Sequence, residues 1–197
     1  MKRKGVILAL SLMLLFVTGC EFGKKSTVSK ENSKPSTKTE TKVKVEEKKT
    51  KTITSRDSHF TLLVPDTWVE LEQGSLNKSA QLEIGATEET TEKKYGMILP
   101  DDAANFTSYD TWYNTVVENA SKSYGFDVNG IQDVNINGYE AKYITYNATV
   151  SGYVFFMRAY YIKGTNYYSQ MYFWTVASYK DKLDPEFVEI ANTYKEV

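Results

Sequence analysis

Hydrophobic residues divide this chain of 197 residues into three segments. Positions 5–16 are almost uninterruptedly apolar, positions 21–52 are mostly Lys, Ser, Thr and Glu, and from position 53 onward apolar residues recur at regular intervals. An interval of two residues predicts half-buried strands, and an interval near 3.6 predicts amphipathic helices. Only the third segment therefore has the pattern of a folded domain.

Strand patterns open this third segment. Phe60–Val64 is an apolar run that Pro65 ends, because proline has no amide hydrogen to donate to a sheet. Residues 80–86 alternate between apolar and polar, as a half-buried strand does. Residues 94–99 predict a further strand that ends at Pro100.

Four more strand candidates follow, and the last of them ends at residue 176. Asn137-Gly138 is the dipeptide most typical of a two-residue hairpin turn, and breaks at 150–152 and 163–166 separate the later strands. Residues 153–162 and 167–176 are apolar or aromatic on both alternations. Strands of this kind are covered on both faces, so we expect helices on each side of the sheet.

Two segments have helical spacing. The first is capped by Thr107 or Ser108, ends at Gly125, and carries an apolar stripe of Tyr109, Trp112, Tyr113, Val116, Val117 and Ala120. For the last helix the sequence predicts Asp184 as N-cap and Pro185 as first helical residue, followed by a stripe of Phe187, Ile190, Ala191 and Tyr194. The predicted fold class of residues 53–197 is therefore α+β, with a mainly antiparallel sheet sandwiched between helices.

The amino terminus has the layout of an export signal. Positive residues at positions 2–4 precede the apolar run, which is shorter than the roughly 20 residues that a spanning helix needs. The next residues, Val17-Thr18-Gly19-Cys20, resemble the lipobox of bacterial lipoproteins. That resemblance implies a signal peptide at 1–19 and lipid attachment at Cys20, the only cysteine, with the protein held at the outer face of a bacterial cell membrane.

Charge separates the tether from the domain. Residues 20–52 are predicted to be a disordered tether, because they contain too little apolar surface to form a core. Residues 21–52 carry a net charge of +5 and residues 53–197 a net charge of −9. A basic tether is attracted to an anionic leaflet. The acidic domain argues against a nucleic-acid partner.

The domain resembles the PsbP-like fold family. The residues that carry the likeness are Phe60-x-Leu62-x-x-Pro65-x-x-Trp68, the Tyr95 strand, the amphipathic helix, the hairpin strands and Phe187-x-x-Ile190. The family includes an extrinsic subunit of plant photosystem II, a protein that binds the GTPase Ran, and many bacterial lipoproteins. The resemblance implies an α/β/α sandwich and a non-catalytic binding domain that docks on a larger membrane assembly.

Candidate chemistry is sparse. The only histidine, His59, shares a strand face with Asp57, but no nucleophile elbow or oxyanion hole accompanies the pair. Residues 133–138 match the first half of an EF-hand loop, yet Ile144 stands where the bidentate Glu belongs, so a hairpin is the better interpretation. The remaining acidic groups, at 88–92 and 101–102, are typical of solvated loops. We therefore predict no enzyme activity, no cofactor and no His or Cys metal site.

Tyrosines offer the one candidate interaction surface. Ten of the fifteen lie between Tyr139 and Tyr179, and most of them fill the faces of the sheet. In the adjacent pairs, Tyr160/Tyr161 and Tyr167/Tyr168, each residue points to a different face, so part of one face is a candidate partner surface.

The sequence is compatible with two functions. The first is a lipid-anchored module that docks on a cell-envelope protein. The second is a lipoprotein that binds a small ligand or metal, such as a cell-wall fragment or weakly held calcium.

Overall fold

The computed structural model describes residues 49–197. Ten strands and two helices are present in this part of the chain. Their bounds are β1 Thr50–Thr54, β2 Phe60–Pro65, β3 Trp68–Glu70, β4 Leu82–Ala86, β5 Lys94–Asp102, α1 Tyr109–Tyr124, β6 Gln132–Ile136, β7 Tyr139–Val150, β8 Tyr153–Lys163, β9 Tyr167–Val176, α2 Lys180–Ala191 and β10 Lys195–Glu196. Neither helix is long and apolar enough to cross a membrane.

Seven of the strands form one antiparallel sheet. Its order is β3-β4-β5-β9-β8-β7-β6, and a smaller antiparallel sheet has the order β1-β2-β10. Strand β1 begins at Thr50, three residues before the predicted start of the domain. Only Ile53 of this strand is buried, which explains why its sequence pattern is weak.

Both faces of the large sheet are covered, as the sequence predicts. On one face, which we call the α2 face, helix α2 and the small sheet enclose the core residues Phe60, Leu62, Trp68, Ile98, Phe173, Phe187 and Ile190. On the other, the α1 face, Tyr113 of α1 packs edge-on against Tyr161, and Tyr109 donates its hydroxyl to the Tyr161 carbonyl. The predicted α+β sandwich with a mainly antiparallel sheet is therefore confirmed.

Local turn and cap predictions are also confirmed. The Ser108 hydroxyl accepts a hydrogen bond from the Thr111 amide at the start of α1, and Gly125 ends the helix with a left-handed φ of 72°. Asn137 and Gly138, with φ of 49° and 94°, form the turn between β6 and β7.

Strand β5 continues past Pro100, where the sequence predicts its end. Pro100 lies opposite Ser169 of β9, and the pairing reaches Asp102. The Ile98 carbonyl points toward the β4 side, where it accepts a bond from the Gln81 amide. The nitrogen of Pro100, two residues further on, faces the same side. Strand β4 does not extend that far, because its pairing with β5 begins at Leu82 and Ile98, so no ladder bond is lost.

The predicted start of the last helix is wrong by more than one turn. A 3-10 turn at Ala177–Tyr179 leads directly into α2 at Lys180, so Asp184 and Pro185 lie inside the helix. The Asp184 carboxylate is held by Arg158 of β8, through Nε at 2.5 Å and Nη2 at 2.8 Å, and is not a cap.

A second ion pair attaches α2 to the sheet. Lys94 of β5 is 3% exposed, and its Nζ lies 2.6 Å from Oε1 of Glu186. The same oxygen accepts from Nε1 of Trp68 at 2.8 Å, and the Lys94 ammonium also donates to Thr67. Buried charges are stable only when paired and hydrogen-bonded, so these contacts fix the position of the helix on the sheet.

We expect Gly96→Ala to lower the free energy of unfolding by about 1–3 kcal/mol, because it overpacks the core. A Cβ at Gly96 would lie 2.9 Å from two ring carbons of Phe173 and 3.0 Å from Cγ1 of Ile84. Urea unfolding measures the change. Gly130→Ala is the control, because its Cβ would meet nothing nearer than 3.7 Å. Equal stability of the two variants would contradict the packing at Gly96.

Alkaline pH should unfold the domain through its buried tyrosines. Burial raises the pKa of Tyr109, Tyr146, Tyr160, Tyr161, Tyr172 and Tyr194 above the ordinary value near 10. A phenol whose folded-state pKa is raised stabilises the fold fully below its unfolded pKa, and the contribution is lost as pH rises through the folded value. Stability should therefore fall above about pH 10.

Absorbance at the phenolate band, recorded with near-ultraviolet circular dichroism, tests this expectation. The exposed tyrosines should ionise first, and the buried ones only together with the loss of tertiary signal. If all fifteen phenols titrated while tertiary structure was retained, the assigned burial would be incorrect.

Candidate functional site

A hollow lies on the α1 face, where helix α1 stops covering the sheet. It has a volume of about 1000 Å³ and lies between the start of α1, the β6–β7 hairpin and the end of β8. We call it the groove. Its lining residues are Ser108, Tyr109, Asp110, Asp133, Val134, Asn135, Glu140, Ala141, Lys142, Lys163 and Tyr168.

Charged side chains of both signs line the groove. Asp133 of β6 lies opposite Lys142 of β7, and the two form an ion pair. Lys163, the last residue of β8, pairs with Glu140 at 2.7 Å. The hydrogen bond that Lys142 donates to Asp133 raises the pKa of Lys142, and the bond that Lys163 donates to Glu140 raises the pKa of Lys163, so both lysines stay charged at neutral pH.

These ion pairs are exposed, which leaves them available to another molecule. The side chains of Asp133 and Glu140 are 84% and 78% exposed, and those of Lys142 and Lys163 are 31% and 45% exposed. Exposed pairs contribute only about 0–1 kcal/mol to stability. Charged groups of a binding partner could therefore replace them with little loss to the fold.

Aromatic rings form the wall of the groove beside the charges. Tyr168 is partly exposed and packs edge-on against Tyr109 at 5.4 Å between ring centroids, and it also contacts Trp112 at 5.5 Å. Nε1 of Trp112 donates to Asp101 of β5 at 2.8 Å. These contacts fix the first turns of α1 against β5 and β9, and so set one side of the groove.

A smaller hollow of about 330 Å³ adjoins the groove and shares Glu140 and Lys163 with it. Its floor includes the turn between β8 and β9. The Glu196 carboxylate of β10 accepts hydrogen bonds from three amides of that turn, Thr165, Asn166 and Tyr167. The two hollows together form a polar surface along one end of the sheet, and the small sheet holds its rim in place.

The structure corrects the exposure expected for two of the four candidate partner tyrosines. Tyr160 is 2% exposed and Tyr161 is 0% exposed, because both lie on β8 under a covered face. Tyr167 and Tyr168 are partly exposed and point to different faces. Tyr168 lines the groove, whereas Tyr167 stacks on His59 at 4.7 Å. A partner contact at either of these two stays a prediction.

Asp57 and His59 lie close together, but in a turn before β2 and not on one strand face as the sequence predicts. Nδ1 of His59 is 3.3 Å from the Asp57 carboxylate, and its Nε2 is 3.3 Å from the Tyr167 hydroxyl. The imidazole thus faces a phenol rather than a serine or a cysteine. With its side chain 42% exposed, His59 forms part of the surface of the small sheet.

Two of the acidic residues that the sequence places in solvated loops, Asp101 and Asp102, lie instead at the end of strand β5. Asp102 accepts from the Ala104 amide and begins a 3-10 turn, Glu92 pairs with Lys182, and residues 133–138 form the β6–β7 hairpin. Among residues 49–197 no group of three or more His, Cys, Asp or Glu could hold a metal ion. Cys20, the predicted lipid attachment site, lies outside the described residues.

Sequence reasoning missed the groove residues Asp133, Glu140, Lys142 and Lys163. The pairing of Asp133 with Lys142 can be predicted from the sequence, because a two-residue turn at Asn137-Gly138 fixes the register and places position 133 opposite 142. The position of α1 across the sheet, which leaves these residues uncovered, follows from no local pattern.

Neither a protein-family model nor a curated protein matches this sequence. Solved structures do match. PsbP of the cyanobacterium Synechocystis sp. PCC 6803, CyanoP, has a TM-score of 0.51 at 11% identity, and the match covers 78% of this chain and 96% of CyanoP. The Ran-binding protein Mog1p of Saccharomyces cerevisiae has a TM-score of 0.50 at 11% identity, covering 77% and 97%.

A protein of Bacteroides thetaiotaomicron VPI-5482 gives a TM-score of 0.53 at 15% identity. The match covers 75% of this chain but spans only about half, 48%, of that protein. At such identities the likeness concerns the fold alone. The fold is PsbP-like, as the sequence resemblance implies.

Proposed function

We propose that the protein is a lipid-anchored, non-catalytic binding module of the bacterial cell envelope, and that its groove docks a cell-envelope protein. The observation that carries the proposal is the groove itself, with its two exposed ion pairs beside the partly exposed ring of Tyr168. Lipid attachment at Cys20 would keep the module at the outer face of the membrane.

The chemistry of the groove suits a protein segment that carries both charges. Anionic Asp110, Asp133 and Glu140 alternate with cationic Lys142 and Lys163. Complementary charges on a partner would set the register and exclude wrong partners. Tyr168 supplies a rigid ring of the kind that is enriched at the centre of protein interfaces.

Two observations support a binding role over an enzymatic one. His59 has an orienting carboxylate, but its other nitrogen meets the Tyr167 phenol. A Ser-His-Asp or Cys-His triad would place a serine or cysteine at that nitrogen, whereas a tyrosine that stacks on the imidazole lies there. Mog1p, which shares the fold, is described as a Ran-binding protein, so the fold is compatible with a protein partner.

A second candidate function is binding of a small polar ligand such as a cell-wall fragment. The groove volume of about 1000 Å³ favours it, since ligand sites commonly measure about 300–1,000 Å³. Ligand sites of this kind are mostly apolar and largely enclosed, whereas the charged groups here are exposed. The protein-docking proposal is therefore the better supported of the two.

Reversing the groove charges should abolish docking. The double variant Lys142→Glu/Lys163→Glu places five carboxylates around the groove, so it repels any partner selected for charge complementarity. Crosslinking of full-length, lipidated protein in intact cells should capture one dominant envelope protein for the native chain and at least about tenfold less of it for the variant, a loss of ~1.4 kcal/mol or more.

Lys122→Glu is the matched control for this experiment. Lys122 also forms an exposed ion pair, with Glu118, but on α1 and away from the groove lining. Its capture should equal that of the native chain. If the groove variant captured the same protein at the native level, the groove would not be the docking site. A crosslinking pattern with no protein partner would favour the small-ligand function.

The anchor has its own test. We expect Cys20→Ala to move the protein from the membrane to the soluble fraction, because two acyl chains bind a bilayer firmly and none remain in the variant. Metabolic labelling with a radioactive fatty acid, followed by membrane fractionation, measures both steps. Unchanged membrane association of the Cys20→Ala protein would contradict lipid anchoring through this residue.

A further inference from the structure

The hairpin of β7 and β8 ends in an exposed apolar tip. Tyr153 is 57% exposed and Val154 is 43% exposed, beside the turn at Ser151 and Gly152. The thirteen residues from Thr145 to Met157 contain no Asp, Glu, Lys or Arg, although charged residues make up 25% of the chain. Strand edges usually carry charges that prevent association, and none of these thirteen residues is charged.

This tip extends beyond its neighbours in the sheet. The last residue of β9, Val176, lies opposite Phe155, so the final pairs of the hairpin, Thr149–Val154 and Val150–Tyr153, have no strand beside them in β9. On the other side, β6 reaches only as far as Tyr143. The end of the hairpin is a two-stranded ribbon that projects from the body of the sheet.

The tip projects from the end of the domain at which the described chain begins. The carbonyl of Lys49 accepts from the amide of Asp66, and the adjacent Thr67 accepts from the ammonium of Lys94. Lys94 lies opposite Thr175, which in turn lies opposite Phe156, near the base of the tip. The tip and the carboxyl end of the predicted tether are therefore at the same end of the sheet.

The groove lies at the opposite end. Strand β5 has nine residues from Lys94 to Asp102, a length of ~30 Å at about 3.3 Å per residue. Asp102 pairs with Tyr167, next to the groove residue Tyr168, whereas Lys94 marks the end with the tip. A surface that contacted the tip would lie on the far side of the domain from the groove.

We propose that the Tyr153–Val154 tip is a membrane-contact element that inserts into the headgroup region of the lipid bilayer and turns the groove away from the membrane. This inference rests on the proposed lipid anchor. A tyrosine ring beside aliphatic side chains suits the headgroup level, where one end of the ring is apolar and the other is hydrated. Lys180, whose ammonium lies 5.3 Å from the Phe156 ring centroid, supplies a cation at the base of the hairpin.

Tethering makes a small apolar contact sufficient. A domain that is already anchored meets the bilayer at an effective concentration set by its linker, so the second contact is intramolecular. Inserted apolar side chains add to the hold of the acyl anchor, because binding at the membrane interface increases with the apolar area that is buried. Two or three inserted side chains would thus orient the domain, although they could not hold it on a membrane alone.

The experiment uses full-length, lipidated protein in vesicles of phosphatidylethanolamine and phosphatidylglycerol. Because Cys20 is the only cysteine and its sulfur carries the lipid, Tyr153→Cys introduces a single free thiol for an environment-sensitive fluorophore. Lipids with a nitroxide near the headgroup should quench this label strongly. The control label at Asn166→Cys, an exposed position in the turn at the opposite end, should not be quenched.

A further pair of variants separates insertion from mere proximity. A label at Thr149→Cys, opposite Val154, should be quenched in the native background and much less so when Tyr153→Ser/Val154→Ser is added. Equal quenching with and without the two serines would overturn the inference, as would equal quenching at positions 153 and 166. A label at 153 that is shielded to the same degree without vesicles would show that the tip packs on a second copy, which also overturns it.

Vesicle flotation distinguishes a failure of the anchor from a failure of the tip. If the labelled protein does not float with the vesicles, lipid anchoring is contradicted and the membrane contact with it. If the protein floats but the label at 153 remains in water, the anchor stands and the tip inference alone is wrong.

Discussion

The structure depends on one constraint: strands β8 and β9 are apolar on both of their faces. Seven consecutive residues of β9, from Ser169 to Thr175, are buried, so water must be excluded from both sides of the sheet at once. One helix cannot do this. The α1 face is closed by α1, and the α2 face is closed by α2 together with the small sheet, which accounts for the layered architecture.

The two covers differ in how they are fixed and in how much they cover. Helix α2 is held by two partly buried ion pairs, Lys94–Glu186 to β5 and Arg158–Asp184 to β8. Helix α1 is held mainly by aromatic contacts and by the hydrogen bond that Trp112 donates to Asp101. The helix does not cover the part of the β6–β7 hairpin that lies beyond its first turn. The groove exists because the sheet is wider than the helix that covers it on this face.

Sequence reasoning reached the features that local chemistry determines. The turn at Asn137-Gly138, the cap at Ser108, the end of α1 at Gly125 and the two-faced burial of β8 and β9 all follow from short patterns. The start of α2 was out of reach, since Arg158 is 26 residues from Asp184 and takes the carboxylate that the local pattern assigns to a cap. Tyr160 and Tyr161 were candidate partner residues although both are buried, because the extent of each helical cover is a long-range property that no local pattern shows.

Photo-crosslinking from the groove shows whether an envelope protein docks there. A photoreactive phenylalanine analogue would replace Tyr168 in the full-length protein in intact cells, and a second chain would carry it at Asn119, an exposed position on α1 outside the groove lining. If the groove docks a protein, position 168 should give an adduct with one envelope protein, and position 119 should give none of that adduct. The same adducts from both positions, or none from position 168, would contradict docking at the groove.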